Sequence, residues 1–206
     1  MKVLLINGSP KEKGCTYTAL CEVEKALQAE GIETEIFHIG MEPIRGCIGC
    51  GGCKNTGRCV FNEDTVNQGL EKAETADGYI FGSPVHFAAA SGALTCFMDR
   101  FFYAGKDNAY KPAAAIASAR RGGTTATFDQ LNKYFTIRNM PVVSSQYWNM
   151  VHGSTPEDVQ KDLEGMQTMR TLGKNMAWLL KCIEAGKKAG IQIPQGETIV
   201  RTNFIR

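Results

Sequence analysis

No stretch of this sequence is long and apolar enough to cross a bilayer. The opening MKVLLINGSP ends its apolar run at Ile6, too short for a secretory signal core, and KPAAAIASAR, the nearest later approach, stops well short. A cytoplasmic, reducing location is the resulting expectation, with no membrane partner. Charge of one sign is lacking too: 23 Lys and Arg stand against 21 Asp and Glu, a formal balance of +2. Without a basic stripe interleaved with aromatics, nucleic acid is not an expected partner. Histidine is scarce, with three in 206 residues. No nucleophile–histidine–acid constellation stands out, which argues against hydrolysis. Internal repeats, low-complexity tracts and linker-like shifts in composition are missing as well. The hydrophobic content of 43% is that of an ordinary globular chain, so one domain over 1–206 is expected. It would carry a cysteine-rich loop at 45–61 and a C-terminal helix plus tail at 156–206.

What is present is alternation. KVLLIN (Lys2–Asn7) predicts a buried strand, and a helix follows over about Thr16–Glu30. TEIFHI (Thr34–Ile39), GYIFGS (Gly78–Ser83) and AAAIAS (Ala113–Ser118) predict further strands. MPVVSS (Met140–Ser145) predicts a weaker fifth, with Pro141 fitting only its start or an edge. Between strands, Leu94, Phe97, Met98, Phe101 and Phe102 make one apolar helix face. Thr155 before Pro156, with Asp158 three residues after Thr155, marks a helix start. That helix is expected to run to about Lys188, with Gly165 and Gly173 as points where it bends or breaks. Five strand–helix alternations argue for an α/β fold: a doubly wound parallel sheet covered on both faces.

In such a sheet the segments after each strand gather at one edge. NGSPKEKGCT (Asn7–Thr16) follows the first strand, where a helix start and its backbone N–H groups favour a phosphate. The triphosphate-binding pattern needs four residues between its glycines and then a lysine. Here five separate Gly8 from Gly14, and Cys15 takes the lysine's place. G-x-G-x-x-G is absent. A single terminal phosphate, as on FMN at the switch point of a flavodoxin-like sheet, suits the loop better than a triphosphate, and a plain strand–helix turn is the alternative. GSPVHFAAASG (Gly82–Gly92) offers a rigid wall for a flat ring, with His86 among its candidate contacts. SARRGGTT (Ser118–Thr125) offers Arg120 and Arg121 for a nicotinamide cofactor's phosphates or a substrate's charge, or for solvation and pairing with Asp99 or Glu63. His38, His152 and Trp148 read as packing or surface residues.

GSPKEKGCT, CIGCGGCKNTGRC, ADGYIFGSPVHF and GALTCFMDRFF together resemble the NAD(P)H-dependent FMN reductase group of flavodoxin-like proteins, and within it the iron–sulfur flavoproteins. The match occupies roughly the first half of the chain, in the family's order. The resemblance implies a flavodoxin-like five-stranded sheet of order 2-1-3-4-5, tightly bound FMN, NAD(P)H as donor and a homodimer or homotetramer. It implies phosphate contacts at Ser9, Lys11, Cys15 and Thr16. Ring contacts would fall on Ser83, Pro84, Val85, His86 and Phe87, with a further loop including Ser118, Arg120 and Gly123. Cys15 stands where relatives often carry Asn or Ser, and His86 where many carry Tyr.

Four of the eight cysteines crowd into Cys47-x2-Cys50-x2-Cys53-x5-Cys59. Two short steps and a longer one match ferredoxin runs, and Gly46, Gly49, Gly51 and Gly52 let backbone amides approach sulfur. Zinc prefers two knuckles on a longer arm, so the spacing favours a [4Fe–4S] cluster. Zinc, an empty thiol loop and labile disulfides stay open, and relatives in the broader group retain some of these cysteines without a cluster. Cys21, Cys96 and Cys182 lie in helical patterns as small hydrophobes. The resulting expectation is an oxidoreductase passing electrons from NAD(P)H through FMN to a quinone, flavin or protein acceptor. The rivals are a non-enzymatic electron carrier and a flavodoxin-like module with structural zinc.

Overall fold

In a computed structural model of the chain, which describes residues 1–105 and 108–205, Val3, Leu4, Leu5 and Ile6 are all fully buried. A strand reads that way only when helices cover both faces of its sheet. The elements in chain order are β1 (Lys2–Asn7), α1 (Cys15–Ala29), β2 (Glu33–His38), α2 (Cys53–Thr56), α3 (Val66–Ala73), β3 (Gly78–His86), β4 (Ala89–Ala90), α4 (Gly92–Ala104), β5 (Ala113–Ala119), α5 (Thr124–Ile137), β6 (Met150–His152), α6 (Pro156–Lys161) and α7 (Leu163–Lys188). The strands run parallel in the order β2-β1-β3-β5-β6, with β4 added antiparallel to β3. Counting the parallel strands alone, this is the expected 2-1-3-4-5 arrangement.

Alternate side chains of each strand supply two cores. On one face Leu4, Ile6, Tyr79 and Phe81 meet Phe97, Phe101 and Phe102 of α4 and Phe135 of α5. The apolar stripe expected on α4 is buried throughout. On the other face Val3, Leu5, Ile80 and Ile116 meet Leu20 and Val23 of α1 and Met169 and Leu172 of α7. No helix among the described residues is long and apolar enough to cross a membrane.

Two expectations are corrected. The fifth strand is not at Met140–Ser145: Val142 makes one isolated bridge to Ala113, and the strand proper is Met150–His152. Pro141 offers only its carbonyl, which accepts from Ala113 N at 2.9 Å, and Val143 N donates to Ala113 O at 2.8 Å. The chain then leaves the sheet and rejoins where Ala117 N donates to Asn149 O, 3.0 Å. The C-terminal helix does start after Thr155, whose side chain accepts from Asp158 N. It breaks, however, at Asp162, which ends α6 and caps α7 by accepting from Gly165 N at 2.9 Å. Gly165 and Gly173 lie inside α7. A Cβ at Gly173 would stand 2.7 Å from Ala26 Cβ, so this glycine permits close packing of α7 on α1 instead of bending it.

Candidate functional site

The carboxyl ends of β1, β3 and β5 meet at one rim, and small polar groups bind their loops together. Gly8 N donates to Gly82 O and Ser91 Oγ donates to Gly8 O, both at 2.8 Å. Thr16 Oγ1 and Ser118 Oγ share a hydrogen bond of 2.8 Å, joining the first turn of α1 to the end of β5. Within the 8–14 loop, Ser9 N donates to Asn7 Oδ1 (3.1 Å), Asn7 Nδ2 to Glu12 O (2.9 Å) and Lys11 N to Ser9 Oγ (3.1 Å). From β2, His38 Nε2 lies 2.8 Å from Ser9 O. The loop is therefore set in shape by its own side chains.

It delivers an open helix start. Gly14 gives α1 no side-chain cap, and no acidic residue occupies the first turn. Uncapped N–H groups and the positive end of the helix dipole together favour an anion. Lys11 is exposed beside this turn. The Cys15 thiol donates to Gly153 O at 3.7 Å, and burial pushes its pKa up, so it stays neutral and adds no negative charge to the helix start.

Beside this loop, Pro84 pairs with Ser118 in the sheet, and β3 then folds back on β4 as a tight hairpin. Phe87 and Ala88 form its two-residue turn with φ of 49° and 61°. Such turns need positive φ and normally use Asn or Gly, so the hairpin carries backbone strain. Phe87 is wholly exposed, His86 exposed, and Pro84 and Val85 half-buried. Ser83 lies beneath: it is fully buried, donates to Pro84 O (2.8 Å) and accepts from Ser91 N (2.9 Å). The third loop lies against the hairpin, since a Cβ on Gly123, at φ +95°, would stand 2.7 Å from Ala88 Cα. Gly123 also leaves the start of α5 uncapped. Arg120 and Arg121 are exposed, and Asp99, a suggested partner, instead accepts from Tyr134 Oη at 2.6 Å.

The cysteine loop leaves β2 on the same edge. All eight cysteines are free thiols, so disulfides within the loop are not formed. Cys47 and Cys50 are exposed, whereas Cys53 and Cys59 are half-buried and pack against the core. Gly49, Gly51 and Gly57 take left-handed φ, and Gly49 N donates to Cys47 Sγ at 3.5 Å. Among the described residues no three His, Cys, Asp or Glu side chains are gathered as a metal site. The chemistry of the donor set, four thiols on a glycine-rich turn, is that of a cluster or zinc loop.

A cavity of about 710 Å³ opens elsewhere, lined by Met1, Pro112, Ile183 and Ile191. It lies at the amino ends of the strands and contains none of the rim residues.

The sheet order and an anion-ready helix start at the switch between β1 and β3 define a flavodoxin-like α/β protein. Residues 1–155 match the family of NADPH-dependent FMN reductases, and the chain belongs to that family. It is 37% identical over 193 residues to an iron–sulfur flavoprotein of Methanocaldococcus jannaschii, covering 89% of this chain and 100% of that protein. It is 28% identical to an iron–sulfur flavoprotein of Methanosarcina thermophila, covering 91% and 99%. In fold it is similar to a WrbA-like flavodoxin of Agrobacterium tumefaciens, with a TM-score of 0.60, 16% identity, and coverage of 88% and 97%. The family makes this a flavin-dependent oxidoreductase.

Several residues of the rim were not singled out in the sequence. Asn7 and Ser91 lock the first loop, and His38, read as a packing or surface residue, meets the Ser9 carbonyl. Ser91 had a legible signal: it precedes the apolar stripe of α4 and caps that helix through Leu94 N. Asn7 had one too, since an Asn at a turn accepts from the backbone N–H two residues on. His38 had none, because its partner, 29 residues away, is brought to it by the sheet.

Proposed function

We propose that this protein takes electrons from NAD(P)H onto tightly bound FMN and hands them to a quinone, flavin or protein acceptor. The uncapped start of α1, fastened to β5 through Thr16 and Ser118, carries the reading. Its N–H groups, with Ser9, Lys11, Cys15 and Thr16, would hold the FMN phosphate. Pro84, Val85, His86 and Phe87 would flank the ring, with Ser83 bracing them from below and Ser118, Arg120 and Gly123 on the neighbouring loop. When bound, FMN supplies the conversion between two-electron donors and one-electron acceptors. The side chains would bind, orient and neutralise: Lys11 would offset the FMN phosphate's charge, Arg120 that of a nicotinamide cofactor or a substrate, and neutral Cys15 would add no negative charge. None is required as an acid or base.

Cys47, Cys50, Cys53 and Cys59 would hold a [4Fe–4S] cluster, which would supply a one-electron store. Their spacing, the turning glycines and the names of the relatives support this assignment. Anaerobic purification with visible spectra and with iron, sulfide and flavin analysis tests both groups. Steady NAD(P)H consumption with a quinone acceptor is expected. A protein that refuses FMN sinks the proposal, and one that binds FMN without turnover is an electron carrier. Cys47→Ser should abolish iron and its absorbance while FMN stays bound, and unchanged iron would contradict the ligand assignment.

A further inference from the structure

A buried arginine sits at the foot of the cysteine loop, and the flavin chemistry makes no use of it. Arg100 belongs to α4 and is 2% exposed. Its Nε donates to Cys59 Sγ at 3.1 Å. One Nη donates to Arg45 O at 3.1 Å and to the Asp64 carboxylate, and the other donates to Phe61 O at 3.1 Å. Arg45 precedes the first cysteine of the loop, and Phe61 and Asp64 follow the last. One guanidinium therefore gathers both ends of the 45–61 segment and one of its four sulfurs.

The neighbours complete the arrangement. Asp64 also accepts from Arg45 N at 3.4 Å and from Val66 N at 3.2 Å. Buried Asn67 accepts from Cys59 N at 2.8 Å and donates to Cys59 O at 2.9 Å. The Arg45 guanidinium stacks over the Phe61 ring, 4.5 Å from its centroid. Cys53, on α2, donates to Tyr103 O of α4 at 3.6 Å. Two sulfurs are thus fixed against α4, while Cys47 and Cys50 stand exposed.

We propose that Arg100 is the positioning residue of the cysteine loop: it clasps the segment shut at its base and presents Cys59, with a donor already on its sulfur, for a cluster closed by the exposed cysteines. The inference rests on the cluster assignment made above. A guanidinium costs a great deal to bury, and its donors are matched here by two carbonyls, a carboxylate and a sulfur. A lysine would keep the charge but could not reach those four groups at once. A cation donating to a ligating sulfur stabilises the electron-rich state and so raises the reduction potential.

Arg100→Met, Arg100→Lys and Asp64→Asn test it, with hydrogen exchange across residues 45–64 measured on metal-free, FMN-loaded protein. After anaerobic loading with iron and sulfide, the midpoint potential of the iron–sulfur centre is measured. Expected are at least tenfold faster exchange over 45–64 in both Arg100 variants with FMN content unchanged, and a more negative potential in Arg100→Lys. Wild-type exchange in both, or a wild-type potential in Arg100→Lys, overturns the proposal. Should both Arg100 variants fail to fold, Asp64→Asn decides: faster exchange confined to 45–64 supports the clasp, and unchanged exchange overturns it. If the wild-type chain takes up no iron, the cluster assignment fails separately, and the exchange measurements still decide whether Arg100 closes the loop.

Discussion

Gly8 shows how little room the rim leaves. A Cβ there would stand 2.7 Å from Leu94 Cδ2 and 2.9 Å from Gly82 O, so the β1 loop can descend onto β3 and α4 only without a side chain. Gly8→Ala is expected to cost roughly 1–3 kcal/mol through overpacking. Because the loop must lift to make room, FMN affinity should also fall by on the order of tenfold, about 1.4 kcal/mol. Urea unfolding and a flavin titration measure the two effects, and a stable variant with undiminished affinity would detach the loop from the site. Ser83 and Ser91 act at the same scale. Their hydroxyls support the hairpin and the first loop from below, so the exposed faces of both remain available to a ligand.

Among the elements, β2 is an edge strand and depends on its flanks. Glu35 binds Lys2 of β1 at 2.7 Å and also pairs with Lys72 of α3. The hydrogen bond from Lys2, then that from Lys72, holds its carboxyl below the ordinary glutamate range. A depressed folded-state pKa stabilises the protein above the unfolded value, and the benefit disappears as pH falls through the folded value. Glu35→Gln should therefore lower stability at neutral pH by roughly 0.5–1 kcal/mol, given partial exposure and solvent screening. The gap between variant and wild type should close below about pH 4. Urea midpoints across the pH range check this, and a constant gap would show that Glu35 acts through packing. A different device joins α1 to α7, where Gly173 lets two backbones approach.

On the scale of the whole molecule, the candidate site belongs to no single element. It draws on the ends of β1, β3 and β5 and on the helices that follow β1 and β5, so only the assembled sheet presents it. A ligand that binds the native state alone stabilises all of it. FMN at 100 times its Kd is expected to add about 2.7 kcal/mol to global stability. The urea transition should move as one step, and an unmoved midpoint in saturating FMN would mean that the rim does not take the flavin.

The three inner parallel strands, β1, β3 and β5, were legible because burial on both faces demands uninterrupted apolar runs, and KVLLIN or AAAIAS admit little else. The stripe of α4 and the cap at Thr155 were legible for similarly local reasons. The edge strand β6 was not: its three residues, paired on one side only, carry too few apolar positions to stand out from MPVVSS nearby. Nor was the break at Asp162, where a side chain shared between His152 N and Gly165 N ends one helix and starts another. The loop after β1 and the cysteine spacing were local in sequence, and the sequence alone led to both. What fastens them to the rest of the fold was not local. Arg100 reads as an ordinary charged position off the apolar stripe, and its partners Asp64 and Cys59 lie 36 and 41 residues away. Local preference and periodicity are properties of the chain. A buried charge finds its partners only after the sheet has brought distant segments together, and that decision belongs to the tertiary structure.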